Sequence, residues 1–260
     1  MGRRGRCAAG MPVVEMTLVD WTRMGRVYCL AGAVAERGGW RFVRPLLARD
    51  RNCPVRNTGW PPYLVDRHTR WEVFELIGVE IAPPQQPHLE DVWVRAMRPR
   101  RRTAPVAERR AILEAGARRG GEPLFGVRLS PTRAAAYLAP GTGERSLTTF
   151  VVPGAAVSFH VSERLGAPEP DYRATLAVPG LEGRSLSLKD HFLLRRAEAA
   201  GGDPEARCRA LTAAVQGMGD RLAVRLGLSR AFAPSYGAPA ANGRCWLMVD
   251  GIFSLTDPQP

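Results

Sequence analysis

The chain has 260 residues, with 37 Lys and Arg against 25 Asp and Glu and a formal net charge of +12. That length suits one large domain or two of about 130 residues, and it supports a core without disulfides or metals. An apolar fraction of 45% excludes a wholly disordered chain, and the longest apolar runs are far too short to span a bilayer as a helix. Arg-rich Met1–Arg6 is followed by Gly10, Pro12 and Glu15 rather than a continuous apolar run, so a secretory signal is not expected and a cytoplasmic location is.

The charge is uneven. Residues 1–120 hold 22 Arg against 12 acids, whereas residues 121–260 are close to balanced. A basic half suggests an anionic partner, with nucleic acid, DNA or RNA, the commonest. Lys189 is the single lysine, and so complete a preference for Arg also fits a GC-rich coding bias with no function behind it. Cys7, Cys29, Cys53, Cys208 and Cys245 form no C-x-x-C pair, and the four His are scattered. No metal site and no cofactor is expected.

In chain order, residues 1–12 read as a flexible terminus. Val13–Val19 has strand composition. Arg26–Val34 and Gly39–Pro45 flank the polar Glu36-Arg37-Gly38-Gly39, a hairpin signal. A Pro- and Arg-rich loop over 46–62 follows, ending in Gly59-Trp60-Pro61-Pro62. Trp71–Ile81 predicts a strand, with a helix as the rival reading, and Val92–Val94 predicts a short strand. Arg95–Arg102 holds five Arg and reads as the start of a basic linker. Pro105–Arg119 has helical spacing and a Gly-Gly stop. Leu124–Leu129, Ala135–Ala139, Ser146–Val152, Ala156–Val161, Asp171–Val178, Arg221–Leu228 and Cys245–Leu255 predict further strands. Ser185–Arg195 reads as a strand and then a turn. Pro204–Gly217 predicts a second helix. Many short strands and few helices give a mainly β protein with minor α.

Three segments carry a resemblance. Val27-Tyr28-Cys29-Leu30-Ala31-Gly32 with Trp40-Arg41-Phe42-Val43-Arg44-Pro45, then Pro83–Asp91, and then Leu226–Phe232 with Cys245-Trp246 and Gly251-Ile252 resemble motifs of a group of bacterial dual OB-domain proteins. Ala231 stands where that pattern has Pro. The resemblance implies two small OB-like β-barrels in tandem and an accessory nucleic-acid-binding role in a bacterial genome-defence or RNA-handling system; it implies no catalytic residues. With Gly120-Gly121 as the boundary, the chain divides into a flexible terminus at 1–12, a first OB-like domain at 13–97, a basic linker with a helix at 98–122, and a second OB-like domain at 123–260.

Single strands are held by aromatic platforms and by cations that track phosphates. The candidates for such contacts are Trp40, Arg41, Arg44 and Trp60 in the first domain, Arg98, Arg100, Arg101 and Arg102 in the basic run, and Arg230. Each has a plainer reading. Trp40 could anchor a core, the basic run could be a solvated linker, and Arg230 could pair with a structural acid such as Asp250. Arg41 and Arg44, three apart on a strand, should point to opposite faces. Trp60, beside two prolines, is the best exposed platform by sequence. Two alternatives remain: a protein-interaction scaffold with a protein partner, and a nucleic-acid hydrolase using His88, Glu90 and Asp91. No nucleophile elbow, phosphate loop or zinc-protease motif supports an enzyme, and no membrane partner is expected.

Overall fold

The computed structural model describes residues 12–25, 27–47, 60, 68–82, 88–118, 123–132, 135–162, 169–231 and 243–258. Of the expected flexible terminus, residues 1–11 lie outside these, as does most of the 46–62 loop. The chain is mainly β, as the spacing of short apolar runs predicts: sixteen strands and three α-helices lie among the described residues.

The first sheet has the order β5-β6-β3-β2-β1-β4-β7. Strands β1 (Val13–Met24), β2 (Val27–Glu36) and β3 (Gly39–Leu47) form an antiparallel meander. Its second turn is the predicted hairpin, with Gly38 at φ +98 supplying the left-handed backbone that a two-residue loop needs. Strand β3 runs parallel to β6 (Asp91–Val94), and β6 pairs with the short β5 (Glu80–Ile81). Strand β4 (Glu72–Ile77) pairs with β1. Only Gly78 and Val79 separate β4 from β5, and Gly78 sits at φ +65, so the chain turns sharply as it changes neighbours.

Strand β7 (Ala96–Thr103) corrects the sequence reading. The basic run is not a linker; it adds an edge strand to β4. Its arginines complete a ladder. Glu15 lies directly across from Glu75, and such like charges repel. Arg98 and Arg100 pair with Glu75 at 3.7 and 3.1 Å, and Arg100 and Arg102 pair with Glu15 at 3.1 and 2.7 Å. The Arg102 hydrogen bond is the main reason that the Glu15 carboxyl lies below its ordinary pKa. Charge along an exposed edge also discourages pairing with another chain.

Helix α1 (Val106–Ala115) follows, and β8 (Ala117–Arg118) joins the second sheet. That sheet has the order β12-β13-β14-β16-β15-β11-β8, with β9 (Ser130–Pro131) and β10 (Ala136–Leu138) attached beside β16. Strand β11 (Leu147–Val152) is followed, past a short 3-10 turn at Gly154–Ala156, by β12 (Val157–Ser162). Strands β13 (Asp171–Leu176) and β14 (Ser185–Leu188) come next. Helices α2 (His191–Ala199) and α3 (Pro204–Gln216) then lead to β15 (Leu222–Leu228) and β16 (Cys245–Ser254). Helix α3 starts as the sequence predicts, with the Asp203 side chain accepting from the Ala206 N–H and Pro204 in the first turn. Helix α2 replaces the expected turn. Asp190 is its N-cap and accepts from the N–H groups of Phe192 and Leu193. Leu124–Leu129, expected as a strand, is turn and coil.

Each sheet encloses its own core. Met16, Leu18, Trp21, Leu30, Val43, Phe74 and Leu76 fill the first, and Phe159, Ala174, Leu186, Leu211, Val224 and Leu247 help fill the second. A third cluster lies between them. Val19 and Ala33 of the first sheet, Ile112 and Leu113 of α1, and Ala223 and Phe253 of the second pack together, with Trp40 and Phe42 against them. The outer face of β1–β3 is therefore covered by α1 and the second sheet.

Candidate nucleic-acid interface

The seam between the sheets carries buried ion pairs. Arg225 of β15 is fully buried, and Asp20 of β1 is 1% exposed. The Arg225 Nε donates to Asp20 Oδ1 at 2.9 Å, and its terminal nitrogens donate to Asp20 Oδ2 at 2.5 Å and to Thr149 Oγ1 at 2.9 Å. Its guanidinium lies 4.0 Å from the centre of the Phe42 ring. Arg70 pairs with Asp190, and Phe192 and Phe253 lie against its guanidinium. Burial pushes the Asp190 carboxyl up despite Arg70.

A third group gathers Arg44, His88, Glu90, Asp91, Ser146, Arg230 and Asp250. Arg44 donates to Asp91 at 3.3 Å and to Ser146 Oγ at 2.9 Å, and its NH1 lies 2.9 Å from His88 Nδ1. Glu90 accepts from the backbone N–H groups of Ser146 and Leu147 at 2.7 and 3.1 Å. Arg230 reaches Asp91 Oδ2 at 2.6 Å. Burial opposes the Arg44 charge, but the acidic groups around it, Asp91 and Glu90 among them, outweigh burial and raise its pKa. Burial, then Arg44 and Arg230, push the His88 imidazole down to about 2, so it is neutral at physiological pH. Burial and the neighbouring Asp20 push the Asp250 carboxyl up to about 8. Gly227 makes room for that carboxyl: a Cβ there would sit 1.8 Å from Asp250 Oδ2.

These facts correct most of the predicted contact set. Arg44 is 4% exposed and tied into the seam, so it does not reach a ligand. Arg230 pairs with a structural acid, although the acid is Asp91 rather than Asp250. Trp60 is 3% exposed and belongs to the first core. Its backbone pairs with Tyr28, and its ring N–H donates to the Pro45 carbonyl at 2.9 Å. A ring so enclosed is no stacking platform. Trp40 is half-buried against the seam. Arg41 is exposed and pairs with Glu36, while Arg44 points inward, so the two do face opposite ways. Arg98, Arg100 and Arg102 are engaged by Glu15 and Glu75, and Arg101 is exposed at a bulge with φ +53. His88 and Asp91 are buried, and Glu90 clamps the Ser146 turn.

A half-buried polar face lies elsewhere, on β12, β13 and β14. Burial alternates along β13, with Tyr172, Ala174 and Leu176 inward and Asp171, Arg173 and Thr175 outward. The register sets His160, Arg173 and Ser187 in one row and Ser158, Thr175 and Ser185 in the next. Ser187 lies across from Met248 of β16, and Trp246, two residues earlier, pairs with Tyr137 of β10. The rings of Tyr137 and Trp246 lie 5.5 Å apart, both half-buried. The guanidinium of Arg244 lies 4.4 Å from the Tyr137 centroid and 5.5 Å from that of Trp246. His160 Nε2 is 2.8 Å from Ser185 Oγ, and Arg173 Nε donates to the same hydroxyl at 2.7 Å. Burial, then Arg173, lower the His160 pKa. The sequence signal for this face is the clean alternation of 171–178 and the spacing of Arg244 and Trp246, two apart and so on one face of a strand.

No protein-family model matches the chain, and no curated protein does. Among solved structures, it is similar to a murine DNA-binding protein bound with double-stranded DNA, at 10% identity, 94% coverage of both chains and a TM-score of 0.30. It is also similar to a replication protein A heterotrimer bound to single-stranded DNA, at 9% identity and a TM-score of 0.33, covering 93% of this chain and 49% of that one. At these values neither likeness fixes a fold or a function for this chain. Among the described residues no group of three or more His, Cys, Asp and Glu is placed to hold a metal, and no helix is long and apolar enough to cross a membrane.

Proposed function

We propose that the protein binds single-stranded nucleic acid on the outer face of β12–β14 and the adjoining Tyr137–Trp246 pair. The observation that carries this reading is the Arg244–Tyr137–Trp246 arrangement at the edge of a hydroxyl-rich sheet face. Aromatic rings stack on bases irrespective of sequence, cations neutralise phosphates, and serine and threonine hydroxyls bond sugar and phosphate oxygens.

The strand pairing supports an OB-type reading of each half. Followed through Gly78-Val79, the first half runs β1-β2-β3-β6-β5/β4 and back to β1. Followed through Pro153–Ala156, the second runs β11/β12-β13-β14-β16-β15 and back to β11. In both paths the third strand is parallel to the fifth. An OB barrel binds oligonucleotides across its second and third strands. In the first half these are β2 and β3, whose outer face is spent on the seam. In the second they are β13 and β14, whose outer face is polar and only half-buried. The binding role therefore falls to the second half, although the charge excess lies in the first.

Fluorescence anisotropy of the full chain with labelled single-stranded DNA and RNA, at two salt concentrations, tests the proposal. Affinity should fall with salt in proportion to the phosphates neutralised. Trp246→Ala and Arg173→Ala should each weaken binding while the protein stays folded. Undiminished binding by both variants, with unchanged melting, overturns this surface.

A further inference from the structure

The polar face ends in a cavity of about 420 Å³ at the seam. It is lined by Arg23 and Gly25 from the end of β1, Glu169–Tyr172 from the start of β13, Leu188 and Lys189, and Leu194, Glu198 and Arg207 from the two helices. The cavity and the face are continuous. Asp171 lines the cavity and pairs at 3.0 Å with Arg173 on the face. Arg173 lies across from Ser187, so the same register carried two residues on sets Lys189 opposite Asp171. Successive rows along a strand lie about 7 Å apart. A strand laid from the Ser185 row past Arg173 therefore reaches the cavity within about two such steps.

The walls are fixed. The Arg23 N–H donates to the Lys189 carbonyl at 2.7 Å, Thr22 bridges Asp190, and the buried Arg70–Asp190 pair stands directly behind. The cavity thus exists before any ligand arrives, and its volume is at the small end of the range for small-molecule sites, enough for one nucleoside unit.

Its charges decide what fits. Among the described lining residues, three cations, Arg23, Lys189 and Arg207, are matched by three carboxylates, Glu169, Asp171 and Glu198, and Arg23 is bound to Glu198 at 2.8 Å. A terminal phosphate dianion entering this space would meet those carboxylates at close range, where like charges repel. Sugar hydroxyls are donors, which carboxylates accept, while the cations suit the single charge of the preceding phosphodiester. Tyr172 and Leu194, both members of the second core, form the cavity's apolar wall. We infer that this cavity is an end-binding site that takes the terminal nucleoside of a single strand, with its free 3′ and 2′ hydroxyls, and so prefers RNA with an unphosphorylated 3′ end. This rests on the proposed single-strand face.

The test uses the full chain and short labelled oligonucleotides of one sequence: linear RNA with a 3′ hydroxyl, the same RNA with a 3′ phosphate, the same RNA circularised, and the matching DNA. Linear 3′-hydroxyl RNA should bind about tenfold or more tighter than the 3′-phosphate and circular forms, with DNA between. Glu198→Gln, which removes one carboxylate on the cavity rim, should narrow the gap between 3′-hydroxyl and 3′-phosphate RNA. Its melting temperature and its affinity for circular RNA should stay as in the parent. Equal affinity for all four ligands overturns the end site and leaves the face intact. Tighter binding of the 3′-phosphate form, or an unchanged gap in Glu198→Gln, also overturns it. Failure to bind any of the four overturns the single-strand reading as well.

Discussion

Arg225→Met should be among the most damaging substitutions outside the two cores. It removes three N–H donors from Asp20 and Thr149, both buried, and leaves the Asp20 carboxylate enclosed without its cation. Breaking a buried pair from one side typically costs about 3–5 kcal/mol. For a chain of this size each kcal/mol corresponds to roughly 2–4 °C, so the melting temperature should drop by about 6–20 °C. The double variant Asp20→Leu/Arg225→Met should recover most of that loss, because two apolar side chains no longer strand a charge. Calorimetry of the parent, both singles and the double gives the coupling energy directly. A fall of under a degree or two for Arg225→Met, or losses that simply add in the double, would refute the claim that this pair joins the halves.

Trp60→Ala should lower stability by about 3–5 kcal/mol, with the affinity of the folded fraction unchanged, since the ring fills the first core; urea titration alongside anisotropy separates the two effects. Asp250 has a folded pKa raised to about 8, so its contribution is fully present below its unfolded value near 3.8 and is lost as pH rises through 8. Melting temperature should accordingly fall between pH 6 and 9 in the parent, and Asp250→Asn should flatten that fall. His88 is held neutral, so its contribution is lost as pH falls below about 6.5, and acid melts of His88→Gln should show a shallower decline. Gly227→Ala should destabilise strongly, because its methyl group would occupy the place of the Asp250 carboxyl; a melting curve like that of the parent would show that β15 yields more readily than its packing implies.

Local chemistry made much of the fold legible. The β2–β3 hairpin shows in its turn residues, helix α3 in Asp203 and Pro204, and β13 in its strict alternation. What failed to show was decided at a distance. The ring of Trp60 sits in a loop composition of glycine and prolines, yet its burial depends on Tyr28 and Pro45. The basic run lacks an apolar period, because β7 is an edge strand whose partners, Glu15 and Glu75, are far away in sequence. Helix α2 was hidden because Asp190 reads equally well as a turn residue until it is seen accepting from Phe192 and Leu193. The charge count misled most. Among the described residues, Arg44, Arg70, Arg109 and Arg110 of the first half are committed to carboxylates or carbonyls within the protein, so their charge is not offered to a ligand.

The Asp20–Arg225 pair spans 205 positions of sequence. During synthesis at about 5–20 residues per second, β1 would wait roughly 10–40 s for its partner strand to be made. Throughout that interval the outer face of β1–β3 shows Val19, Ala33, Trp40 and Phe42 to the cell, a half-finished surface open to any passing apolar chain. Asp20 stands in that surface as a charge whose cation is not yet made, with Arg44 already held by Asp91, and a wrong partner would have to bury Asp20 without compensation. The same carboxylate that later locks the seam thus guards it while the ribosome is still at work.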